Sequence, residues 1–231
     1  MHRLNQFYHR IMTIICTFIG VFLYFIPLFK ILYRVKAYGV KNIPKGGGLI
    51  AANHASFYDP PMIGGALYPR RLCFMARDSL FKTPIGGWFM RHVGCYPVKR
   101  GKGNSEIFKL IPELVKQGNI AVIFPEGTRT RDGELQPGQL GAGLLVQKSN
   151  CPVIPTYVHG TYDIWNINME KPRRRGRAYV VFGKAITFEH LKDLDKKAQQ
   201  QQIVKEIMDA IAKLKKEFLN IPKQLEKSDL G

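Results

Sequence analysis

The sequence predicts an α/β fold: a single domain with a mixed, largely parallel sheet flanked by helices, preceded by an N-terminal apolar, membrane-associated helical segment. Three observations carry this. Short apolar runs of strand length recur along the chain, stretches of helix-compatible composition separate them, and residues 11–29 form an uncharged run, IMTIICTFIGVFLYFIPLF. The 231 residues, 45% of them hydrophobic, suffice for one core without disulfides or metal. The division that follows is 1–34 for the apolar segment, 35–188 for the α/β core and 189–231 for a C-terminal amphipathic helix and tail.

At 1.5 Å per residue the apolar run approaches the ~20 residues that cross a bilayer. Gly20 and Pro27 interrupt it, so a helix or hairpin dipping into one leaflet explains it as well. It is apolar all round, unlike a helix with one buried stripe. Arg3 and Arg10 precede it and Lys30, Arg34 and Lys36 follow, so charge assigns no orientation. The absence of an A-x-A site argues against a cleaved signal peptide.

Next, RVKAYGV and GGGLIAANH read as strands around a turn at Asn42 to Gly48, where Pro44 and glycines break the pattern. LCFMA from Leu72, CYPV from Cys95, IAVIF from Ile120, PVIPTYV from Pro152 and AYVVFG from Ala178 read as further buried strands. Ser105 to Lys116 is helix-compatible, although Pro112 predicts a break, and Gln139 to Lys148 is a second helix. From Phe188 to Asn220 the pattern is helical, with Ile203, Ile207, Ile211, Leu214 and Phe218 forming a stripe that packs on the sheet. In such a fold, active residues sit at strand ends.

The 35 Lys and Arg against 17 Asp and Glu leave a formal charge of +18, which favours anionic partners: phospholipid headgroups, nucleic acid or coenzyme phosphates. Cys16, Cys73, Cys95 and Cys151 form no CxxC pair and no His stands at metal-ligand spacing, so small buried thiols and no metal are expected.

Two clusters could carry chemistry. In NHASFYDPP, His54 stands at a strand end, Asp59 follows five residues later, and Pro60 and Pro61 follow that. Proline favours the first helical turn, so Asp59 reads as the N-cap of a helix whose N–H groups keep its carboxylate ionised. A loop folding back on the helix start would let Asp59 orient the His54 imidazole, which then accepts a proton from a substrate hydroxyl. The spacing alone is short, and a capping Asp beside an incidental His accounts for it more readily. Ser56 lies in no G-x-S-x-G elbow and is not read as a nucleophile.

The second cluster, FPEGTRTRDG from Phe124, follows a buried strand. Its turn N–H groups, with Arg129 and Arg131, read as a phosphate cradle, and Glu126 as a group that bonds a hydroxyl or positions an arginine. A charged surface turn with Glu126 paired to the arginines is the alternative. VKRGKG, with Lys99 and Arg100, is a weaker basic turn of the same kind.

Together and in this order, these segments resemble the glycerolipid acyltransferase family that includes 1-acyl-glycerol-3-phosphate acyltransferases, over about Val35 to Lys184. NHASFYD matches the family's first block, GCYPVKRG its second through Arg100, FPEGTR its third with Glu126, Gly127 and Arg129, and CPVIPTYV its fourth around Pro155. ARDSLFKTPIGGWFM, with Lys82, is similar to the segment between the first two. LQPGQLGAG departs from the family, many members of which carry an aromatic and a lysine near Leu135 and Gln136.

The resemblance implies direct transfer of an acyl group from acyl-CoA or acyl carrier protein to lysophosphatidate, giving phosphatidate, with His54 as base and Asp59 beside it. It implies Arg100, Glu126, Gly127, Thr128, Arg129 and Lys82 as substrate-binding residues, and no cofactor beyond the thioester co-substrate. Membrane lipids are the expected surroundings, at the cytoplasmic face, through a monotopic dip or a single pass over residues 11–33. Glycerol 3-phosphate or another lysophospholipid is the alternative acceptor. A non-catalytic basic binder of anionic lipid or nucleic acid, suggested by PRRRGR at 172–177, leaves the apolar run unexplained. Its arginines stand beside strand-end turns, not along a recognition helix, so no nucleic-acid partner is expected.

Overall fold

The computed structural model describes residues 31–70, 72–98 and 106–228. The apolar run at 11–29 and Arg100 lie outside the described residues. Among the described residues no helix is long and apolar enough to cross a membrane.

Among the described residues seven strands form the sheet: β1 (Lys36–Tyr38), β2 (Gly48–Ala52), β3 (Leu72–Arg77), β4 (Cys95–Val98), β5 (Ile120–Ile123), β6 (Val153–His159) and β7 (Tyr179–Phe182). Their order is β1-β7-β6-β2-β5-β3-β4. Every neighbouring pair is parallel except β6 with β7. The helices are α1 (Asp59–Leu67), α2 (Pro84–His92), α3 (Ile107–Lys116), α4 (Leu140–Ser149), α5 (Thr161–Trp165) and α6 (Lys196–Ser228).

The central strands are continuous apolar runs because both faces of the sheet are covered. Successive residues of a strand point to opposite faces. Thus Ile50, Ala52, Ile120, Val122, Ile154 and Val158 pack with Met62, Ile63 and Leu67 of α1 on one face. Leu49, Ala51, Ala121, Ile123, Val153 and Tyr157 meet Ile111, Leu114 and Val115 of α3, Leu145 and Val146 of α4, and Ile203, Ile207 and Ile211 of α6 on the other. Gly143 lets α4 approach α6 closely, since a β-carbon there would collide with the Gln200 carbonyl. Cys73, Cys95 and Cys151 pack in or against these two cores, as small hydrophobes do.

Two boundaries differ from the sequence reading. Pro112 lies inside α3 and does not break it. An interior proline costs a helix roughly 3 kcal/mol. Burying Ile111, Leu114 and Val115 against the sheet, each 8% exposed or less, offsets that. The C-terminal helix starts at Lys196 and not at Phe188, after a 3-10 turn at Glu189–Leu191. Asp195 sets the start: its Oδ1 accepts the N–H groups of Lys197 and Ala198 at 3.0 and 3.1 Å. The stripe itself packs as expected, with Ile203, Ile207 and Ile211 at 1% exposure or less and Leu214 and Phe218 against the same core.

Candidate active site

Parallel neighbours end on the same side of a sheet, so the order β6-β2-β5-β3-β4 gathers five C-terminal strand ends along one edge. Ligands of open α/β sheets bind along that edge. Both predicted clusters lie there, His54 two residues beyond β2 and Glu126 three beyond β5.

The β2 end is locked first by Asn53. Its side-chain amide donates to the Val158 carbonyl at 3.0 Å and its oxygen accepts the Val158 N–H at 2.7 Å, tying β2 to β6. The chain then turns through residues 54–58 into α1. Within this loop Asp59 Oδ2 accepts the N–H groups of Ala55 and Ser56, both at 2.7 Å, and meets His54 Nδ1 at 2.8 Å. The loop folds back as the spacing required. The expected cap is corrected, however: Asp59 is the first residue of α1, whose N-cap is Tyr58, and its carboxylate receives N–H groups of the preceding loop, not of its own helix. Ser56 is structural, its Oγ donating to the Trp165 carbonyl at 2.8 Å and accepting the Tyr58 N–H at 3.0 Å.

Asp59 is fully buried, whereas the His54 side chain keeps 18% of its surface exposed. In the tautomer that donates Nδ1–H to the Asp59 carboxylate, Nε2 is the ring's remaining acceptor. The ring stacks on Phe124 at 4.0 Å between centroids and 19° between planes. The His54 N–H donates to Glu126 Oε1 at 3.0 Å, and its carbonyl accepts the Thr130 N–H at 2.9 Å. Imidazole and backbone are therefore held from α1 and from the β5 loop at once.

Glu126 is 2% exposed, which overturns the surface-turn alternative. Besides His54 it holds the Gln136 N–H through Oε2 at 3.3 Å, so it ties the β2 loop to the start of the 136–139 segment. Burial pushes its carboxyl from 4.5 up to about 7, against the lowering pull of the two N–H groups. Gly127 takes a φ of 70°, and its N–H closes the turn on the Phe124 carbonyl at 3.0 Å, so that amide serves the turn itself. Thr128 is exposed, and the Arg129 guanidinium lies over the Phe57 ring, 3.4 Å from its centroid. Lys82 is exposed beyond the end of β3, on the same edge. Gln136, where the sequence departs from the family, donates to Thr130 Oγ1, Asp132 Oδ1 and the Glu134 carbonyl and shapes the 130–134 loop.

One residue escaped the sequence reading. Thr161, fully buried at the start of α5, donates from Oγ1 to Asp59 Oδ1 at 2.6 Å. Gly160, with a φ of 81°, makes the left-handed turn that brings it there from the end of β6. The β6 strand end was the available signal, but no spacing marks the threonine. The chain Thr161–Asp59–His54 thus orders a part-exposed histidine at the strand-end edge, an arrangement suited to taking a proton from a bound hydroxyl.

The model of a protein family described as acyltransferase matches residues 34–159. A chloroplastic 1-acyl-sn-glycerol-3-phosphate acyltransferase of Brassica napus is 32% identical over 160 residues, 67% of this chain and 45% of that protein. The enzyme of the same name from Bacillus subtilis is 32% identical over 54% of this chain and 63% of its own length. That of Saccharomyces cerevisiae is 34% identical over 67% and 56%. The chain thus spans about half the length of the curated relatives it matches. The crystal structure of the 1-acyl-sn-glycerophosphate acyltransferase PlsC from Thermotoga maritima superposes with a TM-score of 0.62 at 24% identity, covering 78% of this chain and 72% of that one, which shows a shared fold.

Proposed function

This chain belongs to the acyltransferase family, and from that premise we propose that it transfers a fatty acyl group from acyl-CoA or acyl carrier protein to the sn-2 hydroxyl of 1-acyl-glycerol 3-phosphate, giving phosphatidate. The observation that carries the reading is the buried carboxylate of Asp59 on His54 Nδ1, which leaves Nε2 open at the edge where the sheet's ligands bind.

In this mechanism Nε2 accepts the hydroxyl proton as the hydroxyl oxygen attacks the thioester carbonyl. Asp59 stabilises the imidazolium that forms. The tetrahedral intermediate collapses, the C–S bond breaks, and the departing thiolate takes the proton back from Nε2. One ester forms, one thiol is released and the enzyme returns to its starting state. No residue is acylated, in keeping with a Ser56 hydroxyl committed to backbone groups.

The phosphate of the acceptor would be met by Arg129, whose planar guanidinium is presented on Phe57, with Thr128, Gly127 and Lys82 on the same edge and Arg100 completing the set. Glu126 contributes by fixing His54 and the 136–139 segment. The apolar segment 11–29 would hold the protein at the cytoplasmic face of a membrane, where acceptor and product reside.

The test is an assay matrix of the purified protein with acyl-CoA and acyl carrier protein as donors, against lysophosphatidate, glycerol 3-phosphate and neutral lysolipids as acceptors. Transfer to lysophosphatidate above the other acceptors is expected. Equal rates with acceptors lacking the phosphate would sink the phosphate-anchored reading.

A further inference from the structure

The β3-to-β4 connection turns its apolar residues outward. Ile85 is 83% exposed, the most exposed large apolar side chain among the described residues, and Leu80 is 51% exposed. Their backbones come close: the Leu80 carbonyl lies 3.3 Å from where a β-carbon on Gly86, the residue after Ile85, would stand. The connection is also stiff. The 3-10 turn at Asp78–Phe81 packs on α2 so closely that a β-carbon on Gly87 would come within 2.6 Å of the Phe81 carbonyl, and the Arg91 guanidinium lies 5.6 Å from the Phe81 ring centroid. Thr83 caps α2 by accepting the Gly86 N–H at 3.2 Å.

Its position follows from topology. β3 and β4 are parallel, so α2 must carry the chain back across the sheet, and its N-terminus, with Ile85, stands at the edge where β3 ends. That is the edge of His54. The order β2-β5-β3 puts the ends of β2 and β3 two strand spacings apart, about 10 Å. Arg77, Lys82 and Arg91 of the same connection are exposed, and Asp78 is the one carboxylate between residues 77 and 92.

We propose that this β3–α2 knuckle is a membrane-docking element separate from the segment at 11–29: Leu80 and Ile85 enter the interfacial layer of an anionic bilayer, while Arg77, Lys82 and Arg91 meet its headgroups. Exposed apolar side chains on a basic connection fit a lipid surface, and the excess of positive charge selects an anionic one. A rigid knuckle beside the catalytic edge fixes how that edge faces the leaflet. The proposal rests on the reading of the acceptor as a lipid, and it adds where on the catalytic domain that lipid's membrane is met.

The test uses the full-length protein and vesicles of phosphatidylcholine with or without phosphatidylglycerol. Leu80→Asp/Ile85→Asp should lower partitioning onto the mixed vesicles by about tenfold or more, and leave kcat on a monomeric short-chain lysophosphatidate unchanged. In Ile85→Trp, the introduced indole should shift its emission to the blue on vesicles and be quenched by lipid-borne nitroxides, more strongly with phosphatidylglycerol present. That probe decides where the N-terminal segment holds both proteins on the vesicles. Indole emission unmoved by vesicles overturns the proposal. So does an aspartate pair that lowers the melting temperature and leaves partitioning intact, since the chain's own residues then cover the patch. Absence of transfer by the unaltered protein to the short-chain acceptor would instead strike the acyltransfer reading and leave the vesicle measurements standing.

Discussion

At the end of β2 the fold buries polar groups and gives each a partner; at the end of β3, two strands away, it exposes apolar ones. Asp59 accepts three backbone or ring donors on Oδ2 around a side chain with no exposed surface, whereas Ile85 presents 83% of its surface outward. Both ends are rigid, and the difference lies in what each is built to meet. In the proposed mechanism the β2 end pre-orders a base, whose geometry has to be complete before a substrate arrives. The β3 end pre-orders a surface, whose apolar area is useful only while it stays uncovered.

The contrast breaks most completely at His54. His54→Ala removes the one group at the β2 end with an open nitrogen, and acyl transfer should fall on the order of 10²-fold to 10⁴-fold with the melting temperature nearly unchanged. An alanine variant with undiminished turnover would show that the ordered cluster is structural. Asp59→Asn should reduce kcat by about 10²-fold or more and also cost about 1–3 kcal/mol of stability, because an amide meets the three donors on Oδ2 with a neutral oxygen and turns its NH2 toward the Thr161 hydroxyl that now donates to Oδ1. Urea denaturation beside the kinetic assay separates the two losses.

Glu126→Gln sharpens the comparison through pH. Folding raises the Glu126 carboxyl from 4.5 to about 7, so between those values the native state holds a proton that the unfolded chain has released. Stability from this group is therefore greatest at the acidic end of the window and is lost as pH rises toward and through about 7, by at most about 3 kcal/mol. The glutamine variant should flatten that slope, as read from urea midpoints across the window. A slope unchanged in the variant would assign it to other groups.

The smallest effect is expected at Thr161. Thr161→Val keeps the shape and removes the donor to Asp59 Oδ1, so kcat should fall about tenfold while KM for lysophosphatidate stays put, and Thr161→Ser should restore it. A valine variant that changes only the melting temperature would make Thr161 a packing residue and detach β6 from the catalytic end.

Much of this was legible along the chain for physical reasons. The strands at Leu49–Ala52, Ile120–Ile123 and Val153–Val158 are buried on both faces and so read as unbroken apolar runs. The α6 stripe was legible by its 3.6-residue period. Where the reading missed, a competing interaction that carries no sequence period decided the outcome. Core burial kept α3 intact through Pro112, and the 3-10 turn with the Asp195 side chain moved the start of α6 from 188 to 196. Asp59 was read as a helix cap and instead takes N–H groups of the preceding loop, because proline position marks a helix start to within a residue and not which N–H groups a side chain will reach.

By itself, then, the sequence determined the layered α/β class, the two polar clusters at strand ends and the basic excess, since strand burial, turn chemistry and net charge are local or additive properties. Only the tertiary structure decided that β6, β2 and β5 lie side by side. That adjacency makes Glu126 the buried clamp on the His54 backbone and delivers Thr161 to Asp59 across 102 residues of chain, while β3 beside β5 places the Leu80 and Ile85 knuckle on the same edge. Strand order is a non-local choice, fixed by which apolar faces pack together, and no spacing along the chain encodes it.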